Sequence, residues 1–170
     1  MKSTKEQAQE LRSNLKKEGY PAKMVSVRMR YIGYDTAIDV TIKDIAVNFD
    51  KVQKMAGKYE YISHDQFGEI LAGGNTYVNI KLDYDMVEEG EKQYYKEAAE
   101  IIGKKDGEIQ TIRKNGDVRL LYVPKEATGS GLDYVKIQNA TGGNAVGSKE
   151  ELAKALYLFD NTGNYSRRCG

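Results

Sequence analysis

The fold is decided by the stretch from Met24 to Tyr84. It begins Met24-Val25-Ser26-Val27-Arg28-Met29-Arg30-Tyr31-Ile32 and continues through Ala37-Ile38-Asp39-Val40 to Gly73-Gly74-Asn75-Thr76-Tyr77-Val78. Apolar and polar side chains alternate at 23–32, 38–42 and 76–85. This period of two predicts three β-strands, each with one buried face. The turn at 33–35 joins the first two segments, which we expect to pair as an antiparallel hairpin.

Helical patterns surround these strands. A capping box, either Ser3 with Glu6 or Thr4 with Gln7, opens a predicted helix over 4–18. Further helices are predicted around 48–57 and over 86–103, where apolar residues recur at helical spacing. The N-terminal part is therefore expected to be a mostly antiparallel three-stranded sheet packed by helices.

The motifs of this stretch also resemble a known domain. A Ser26-Val27-Arg28 strand, an Ile38-Asp39-Val40 strand and the final Gly73-Gly74-Asn75-Thr76-Tyr77-Val78 segment follow the order found in a domain associated with large polyvalent proteins of phages and plasmids. The resemblance covers roughly residues 7–86. It implies an association with mobile genetic elements and a first α+β lobe at 1–86.

The second half predicts a smaller β-β-β-α lobe. Segments 109–113 and 118–123 flank Asn115-Gly116, a strong hairpin signal, and a third strand is predicted at 133–138. Ser148 and Glu151 form the pattern that opens a final helix. We therefore predict an α+β chain with lobes at 1–86 and 87–160 and a mobile tail at 161–170.

Composition narrows the class of protein. The 170 residues are 40% hydrophobic and 30% charged, as in an ordinary globular protein. No apolar run approaches the roughly 18–20 residues that span a bilayer, so no membrane partner is expected. The chain has one Cys and one His, and the N-terminus lacks an apolar signal core. These features predict a cytoplasmic location, and the resemblance to a domain of phages and plasmids implies that the cell is a bacterial host.

Charge is concentrated in patches. The net charge of +1 excludes a global basic field, but one run between the halves is strongly acidic. Carboxylates arranged in this way can imitate phosphates in front of an arginine-rich channel, so we predict a protein-partner contact there. The predicted contact residues are Asp83, Asp85, Glu88, Glu89 and Glu91.

Basic residues provide an alternative interface. Arg28 and Arg30 lie two apart on one strand face, and Lys81 extends that face if the strands are neighbours. Together with Tyr77 they predict a surface for stacking and phosphate contact. In the second half, beyond Lys104 and Lys105, the predicted hairpin adds Arg113, Lys114 and Arg119 to the same set.

No motif announces a catalytic site. The glycine-rich segment 142–149 precedes a helix, but its Ser148-Lys149 order reverses that of a phosphate loop. His64-Asp65 is the only imidazole–carboxylate pair, and it offers too few ligands for zinc. We therefore assign no catalytic residue, metal or cofactor. The acids Asp39, Asp83 and Asp85 follow no nuclease signature.

Three functional hypotheses follow. The first is an anti-CRISPR protein that binds an RNA-guided effector nuclease, or its guide-RNA complex, and blocks nucleic-acid engagement. It rests on the resemblance only for the link to mobile elements, and otherwise on small size, patchy charge and the lack of catalytic motifs. The alternatives are a metal-dependent nuclease acting on guide RNA or DNA and a non-enzymatic nucleic-acid-binding accessory protein.

Overall fold

The alternating segments of the first half form the predicted strands. In the computed structural model, which describes residues 1–104 and 106–170, these strands are β1 (Val25–Ile32), β2 (Asp35–Ile42) and β3 (Thr76–Leu82). Lys105, part of the basic stretch noted above, lies outside the described residues. The chain divides into two units, Met1–Asp83 with Arg168–Gly170, and Tyr84–Arg167. Helices accompany a sheet in each unit, which confirms the α+β class.

The first unit contains a mixed sheet in the order β1-β2-β3, here called the N-terminal sheet. β1 and β2 form the predicted antiparallel hairpin, whereas β3 pairs with β2 in parallel. A parallel neighbour needs a crossover connection. The segment between β2 and β3 provides it and contains helix α2 (Phe49–Gly57).

Helices contribute apolar residues beside one face of the N-terminal sheet. Helix α1 (Thr4–Lys17) begins at the predicted capping box and packs on β1 and β2. Its buried side chains are Ala8, Leu11 and Leu15, and those of α2 are Phe49, Val52 and Ala56. On the strands, Val25, Val27, Ile38, Val40 and Ile42 are buried. Because strand side chains alternate, residues between these positions point to the opposite face.

The second unit contains a four-stranded antiparallel sheet, the C-terminal sheet, in the order β4-β5-β6-β7. Its strands are β4 (Gln110–Asn115), β5 (Val118–Val123), β6 (Tyr134–Ile137) and β7 (Asn144–Ala145), with the short helix α5 (Lys125–Thr128) between β5 and β6. Helix α6 (Lys149–Thr162) begins at the predicted cap Ser148. Leu152, Leu156 and Phe159 of α6 share a core with Leu120 and Val135 of the sheet.

The predicted helix over 86–103 is interrupted. Helix α3 (Tyr84–Glu91) and helix α4 (Tyr95–Gly103) are separated by a 3-10 turn, Lys92–Tyr94. The side-chain amide of Gln93 donates a hydrogen bond of 3.0 Å to the Gly90 carbonyl oxygen at this point. The apolar spacing continues through the break, which is why the sequence pattern does not reveal it. The helix also starts earlier than predicted, so Tyr84 lies in α3 and is exposed, whereas the alternating pattern places it in the strand over 76–85.

The C-terminal segment also differs from the prediction. The expected β-β-β-α order gains the two-residue strand β7, and α6 continues beyond residue 160 to Thr162. Residues 161–170, predicted to be a mobile tail, make defined contacts. Tyr165 packs against the core of the second unit, and the Leu82 amide donates to the Arg168 carbonyl oxygen at 2.8 Å in the first. Within the described ranges, no helix has the length and apolar character that crossing a membrane requires.

Gly90 is required by a close approach of helix α3 to Tyr157 in α6. A Cβ atom at position 90 would lie 2.3 Å from the Tyr157 ring, and this ring is 4% exposed and meets the Tyr94 ring edge-on at 6.2 Å. Gly90→Ala should therefore lower the free energy of unfolding by about 1–3 kcal/mol, because the buried ring has to move. Urea denaturation followed by circular dichroism measures the change.

Gly103→Ala is the matched control. A Cβ atom at that position meets nothing within 4 Å, so this substitution should be neutral or stabilise by less than about 1 kcal/mol. Equal effects of the two substitutions would contradict the proposed steric cause.

Candidate nucleic-acid interface

The N-terminal sheet carries a polar face opposite its apolar one. Register places its outward side chains in three rows across the strands: Arg30–Ala37–Tyr77, Arg28–Asp39–Asn79 and Ser26–Thr41–Lys81. Rows two residues apart are separated by about 7 Å along the strands. Arg28 and Arg30 are exposed, and Tyr77, Asn79 and Lys81 are half-buried. We call the surface formed by these three rows the polar sheet face.

Asp39 lies at the centre of the polar sheet face and organises it. Arg30 forms an ion pair with this carboxylate, and the Asn79 side-chain amide donates to it at 2.9 Å. Burial raises the pKa of the Asp39 carboxyl, but the hydrogen bonds from Arg30 and Asn79 outweigh burial and hold it below its usual value. Asp39 is therefore a neutralised carboxylate that fixes the position of Arg30.

Three further cations border the same face. Arg28, Lys43 and Lys81 line a depression of about 530 Å³, together with Arg30 and Asp39. Across the part of the chain that the structure describes, no ion pair is found for these three cations. Asp83 also lines the depression, which therefore holds four cations and two carboxylates and keeps an excess of positive charge for an anionic ligand. The structure brings together the predicted Arg28, Arg30 and Lys81, and it adds Lys43 and Asn79, which were not predicted from the sequence.

Strand alternation separates the basic residues predicted in the second half. Arg113 is in register with the buried Leu120. Its guanidinium donates to both Glu97 carboxylate oxygens at 2.5 and 2.7 Å, and to Asp160 at 2.8 Å. The hydrogen bond to Glu97 raises the pKa of Arg113 further, and burial beside Asp160 raises the pKa of Tyr94 to about 12. Arg113 therefore holds helices α4 and α6 to β4 rather than facing a ligand.

Lys114 and Arg119 occupy the other face of this sheet. They are direct partners across the β4–β5 hairpin, and Lys114 is exposed while Arg119 is half-buried. Their positions keep them together as predicted but separate them from Arg113.

The acidic run does not form one uniform patch. Asp83 belongs to the first unit and lines the depression of the polar sheet face. Asp85, Glu88 and Glu89 are exposed on α3 at helical spacing, and Glu89 forms an ion pair of 2.7 Å with Lys92. Glu91 is half-buried and accepts a hydrogen bond of 3.3 Å from the Tyr95 hydroxyl, while burial raises its pKa. The available part of the acidic run is thus centred on Asp85 and Glu88.

The remaining candidate motifs have structural roles. The Gly147 amide donates to the Glu151 carboxylate at 2.6 Å, so a carboxylate already lies where a phosphate would sit at the start of α6. Asp65 accepts the amides of Phe67 and Glu69 and shapes a turn beside His64. Among the described residues, no group of three or more His, Cys, Asp or Glu is placed to hold a metal ion.

Comparisons of the chain with profiles of known families, with curated proteins and with solved structures found no match. The resemblance to a domain of polyvalent proteins stays a prediction.

The cluster around Arg113 should stabilise the second unit in a pH-dependent way. The hydrogen bond from Arg113 lowers the pKa of Glu97, so its stabilisation is present above the ordinary glutamate pKa and is lost as pH falls through the lowered value. The Glu97 side chain is 41% exposed, and solvent screens the pair. Arg113→Gln should cost about 1–2 kcal/mol at pH 7, less than a fully buried pair would.

Urea denaturation at pH 7 and pH 3 tests this expectation. The difference between wild type and Arg113→Gln should shrink at the lower pH, because Glu97 takes up a proton as pH falls through its lowered pKa. Lys114→Gln, on the opposite face of the same strand, should change stability by less than about 0.5 kcal/mol. A pH-independent loss in Arg113→Gln would assign the effect to packing of the side chain instead.

Proposed function

We propose that this protein binds single-stranded nucleic acid on the polar sheet face and does so without catalysis. The observation that carries the proposal is the group of available cations, Arg28, Lys43 and Lys81, on a sheet face that also presents Tyr77. Cations beside an aromatic side chain are the two components of single-strand surfaces, where phosphates are neutralised and bases stack. Paired bases in a duplex do not offer their faces to a sheet.

The arrangement of the rows favours an extended strand. Tyr77 and Arg30 lie on either side of Ala37, which is fully buried, so the aromatic surface offered to a base is the exposed part of the half-buried Tyr77 ring. Lys81 lies on the same strand as Tyr77, four residues away, and Arg28 lies across the sheet. A backbone that passes over the central strand therefore meets cations on either side of it.

Affinity should be modest and sensitive to salt. Arg30 is already neutralised by Asp39, so about three cations remain for phosphates. Each contact to a single strand contributes roughly −0.7 to the slope of log K against log salt concentration, which predicts a slope of about −2 for three contacts.

Removing two of these charges tests the proposal. Arg28→Gln with Lys81→Gln should weaken binding of a fluorescein-labelled 15-nucleotide oligo-uridine at least about fivefold at 0.1 M salt. It should also make the salt slope less negative by roughly 1.4. Fluorescence anisotropy titrations over a range of salt concentrations measure both quantities.

Lys54→Gln with Lys58→Gln is the matched control. It removes the same charge from two exposed lysines in and just after α2, and it should leave the affinity within about twofold. Equal losses in the two double variants would show that only net charge matters, and the polar sheet face would lose its role.

A second candidate is the inhibition of an RNA-guided effector nuclease. Helix α3 has four acidic residues among its eight and no basic one, and Asp85 and Glu88 project from it exposed and three residues apart. An anionic helix of this kind complements the basic channel of such a nuclease. The resemblance to a domain of mobile elements supports the same proposal.

Target-DNA cleavage by a guide-loaded effector nuclease, after preincubation with the protein, tests this candidate. Inhibition should reach completion near a stoichiometric ratio, and Asp85→Asn with Glu88→Gln should weaken it at least about tenfold because two complementary charges are lost. Glu100→Gln with Glu126→Gln removes equal charge elsewhere in the same unit and should inhibit like wild type. Inhibition at far lower ratios would indicate catalysis on the guide or the effector instead.

A further inference from the structure

The C-terminal sheet also has a face directed to solvent, and every charged residue on that face is a cation. We define the C-terminal outer face by five side chains: Lys114 of β4, Arg119 and Leu121 of β5, and Tyr134 and Lys136 of β6. These residues alternate with the buried Leu120, Tyr122 and Val135 on their strands, so they point away from the core shared with α6. Among the strand residues of this sheet, all of which the structure describes, there is no Asp or Glu.

Register arranges the cations of this face as a track. Lys114 lies opposite Arg119, and Lys136 lies opposite Leu121, which is two residues beyond Arg119 on the same face. Diagonal neighbours of this kind have Cα atoms roughly 7–8 Å apart or closer. No ion pair involves these three cations in the described ranges 1–104 and 106–170. The track therefore carries uncompensated positive charge across three strands.

An apolar depression adjoins the end of the track. It has a volume of about 370 Å³ and is lined by Val123, Tyr134 and Lys136 together with Gly142 and Gly143. Gly143 lies so close to β6 that a Cβ atom would be 2.6 Å from the Val135 carbonyl oxygen. Because Gly143 has no side chain, this side of the depression stays open. A volume of this size is at the lower end of those that accept small organic ligands.

We propose that the C-terminal outer face is a second binding surface for single-stranded nucleic acid. A base enters the depression and stacks on Tyr134, and the adjoining phosphates contact Lys136, Arg119 and Lys114. The combination of an aromatic platform, an apolar recess and a line of cations is what sequence-tolerant single-strand surfaces use. The ligand class is shared with the proposed function, on which this inference rests for its choice of probe, but the residues are entirely different.

The apolar depression beside the track favours this ligand over an acidic protein segment. A carboxylate-rich peptide would satisfy the cations but would offer the recess no flat ring. A nucleotide presents both groups in each repeating unit. The spacing of cations and recess along one diagonal of the sheet therefore favours a polymer in which anionic and aromatic groups alternate.

The test uses the full chain and a six-nucleotide oligo-uridine, observed by two-dimensional ¹⁵N–¹H NMR. In the wild type, amide resonances of Arg119, Leu121 and Lys136 should shift on titration. Arg119→Gln with Lys136→Gln should abolish those shifts and weaken 15-nucleotide oligo-uridine binding at least about threefold at 0.1 M salt. The matched control, Lys96→Gln with Lys125→Gln, removes two exposed lysines from the same unit and should retain both.

Tyr134→Leu separates stacking from charge. It keeps an apolar side chain in the recess and should weaken oligo-uridine binding about fivefold, since stacking on an aromatic ring contributes roughly 1–3 kcal/mol per base. Binding of inorganic polyphosphate, which has no bases, should be unchanged. Tighter binding of a polyglutamate peptide than of oligo-uridine to this face would overturn the proposal, as would wild-type behaviour of Arg119→Gln with Lys136→Gln.

These experiments test the two proposed nucleic-acid surfaces independently. Loss of binding in Arg28→Gln with Lys81→Gln, with no effect of Arg119→Gln with Lys136→Gln, would overturn the second surface and support the first. The reverse result would overturn the polar sheet face and support the C-terminal outer face.

Discussion

The alternation of side chains along the strands is the constraint on which the surfaces of this protein depend. Each sheet directs every second residue into a core and the others away from it. Arg113 and Lys114 are adjacent on one strand, and their side chains therefore point to opposite faces of the sheet. Arg113 lies between Glu97 and Asp160, and Lys114 faces outward beside Arg119. The register of β4 thus determines which charge stabilises the fold and which is available to a ligand.

This constraint also explains what the sequence alone could predict. A period of two identified β1, β2 and β3, and Asn115-Gly116 identified the β4–β5 hairpin, since both signals are local. The parallel pairing of β3 with β2 could not be predicted from the sequence, because alternation identifies a strand but not the strand beside it. The break at Lys92–Tyr94 and the two-residue β7 left no signal either. The first preserves helical spacing, and the second is too short to show a period.

The candidate site was predictable to the same extent. Alternation placed Arg28 and Arg30 on one face, and the register confirms that Lys81 lies on it. Lys43 continues the alternation of Asp39 and Thr41, so the signal for it was present. Asn79, Tyr134 and Lys136 acquire their surroundings only through sheet order. The sequence also could not predict which arginine pairs with Asp39. Asp39 is directly opposite Arg28 in register but binds Arg30, because a long side chain can reach a diagonal neighbour.

The net charge of +1 does not reveal that acidic and basic residues lie on separate elements. Helix α3 holds four acids without a base, whereas the strands of the C-terminal sheet hold four cations, Arg113 included, without an acid. Exposed charges farther apart than the Debye length, roughly 8 Å at physiological salt, are largely screened from one another. The field that a ligand meets is therefore set by the nearest face rather than by the whole chain.

The composition excludes a basic field over the whole protein, but it does not exclude local binding of phosphates. For the same reason the proposed roles are compatible, with an acidic helix that complements a cationic protein surface and two sheet faces that bind nucleic acid. These surfaces share no residue, so each can be removed by mutation without altering the charge of the others.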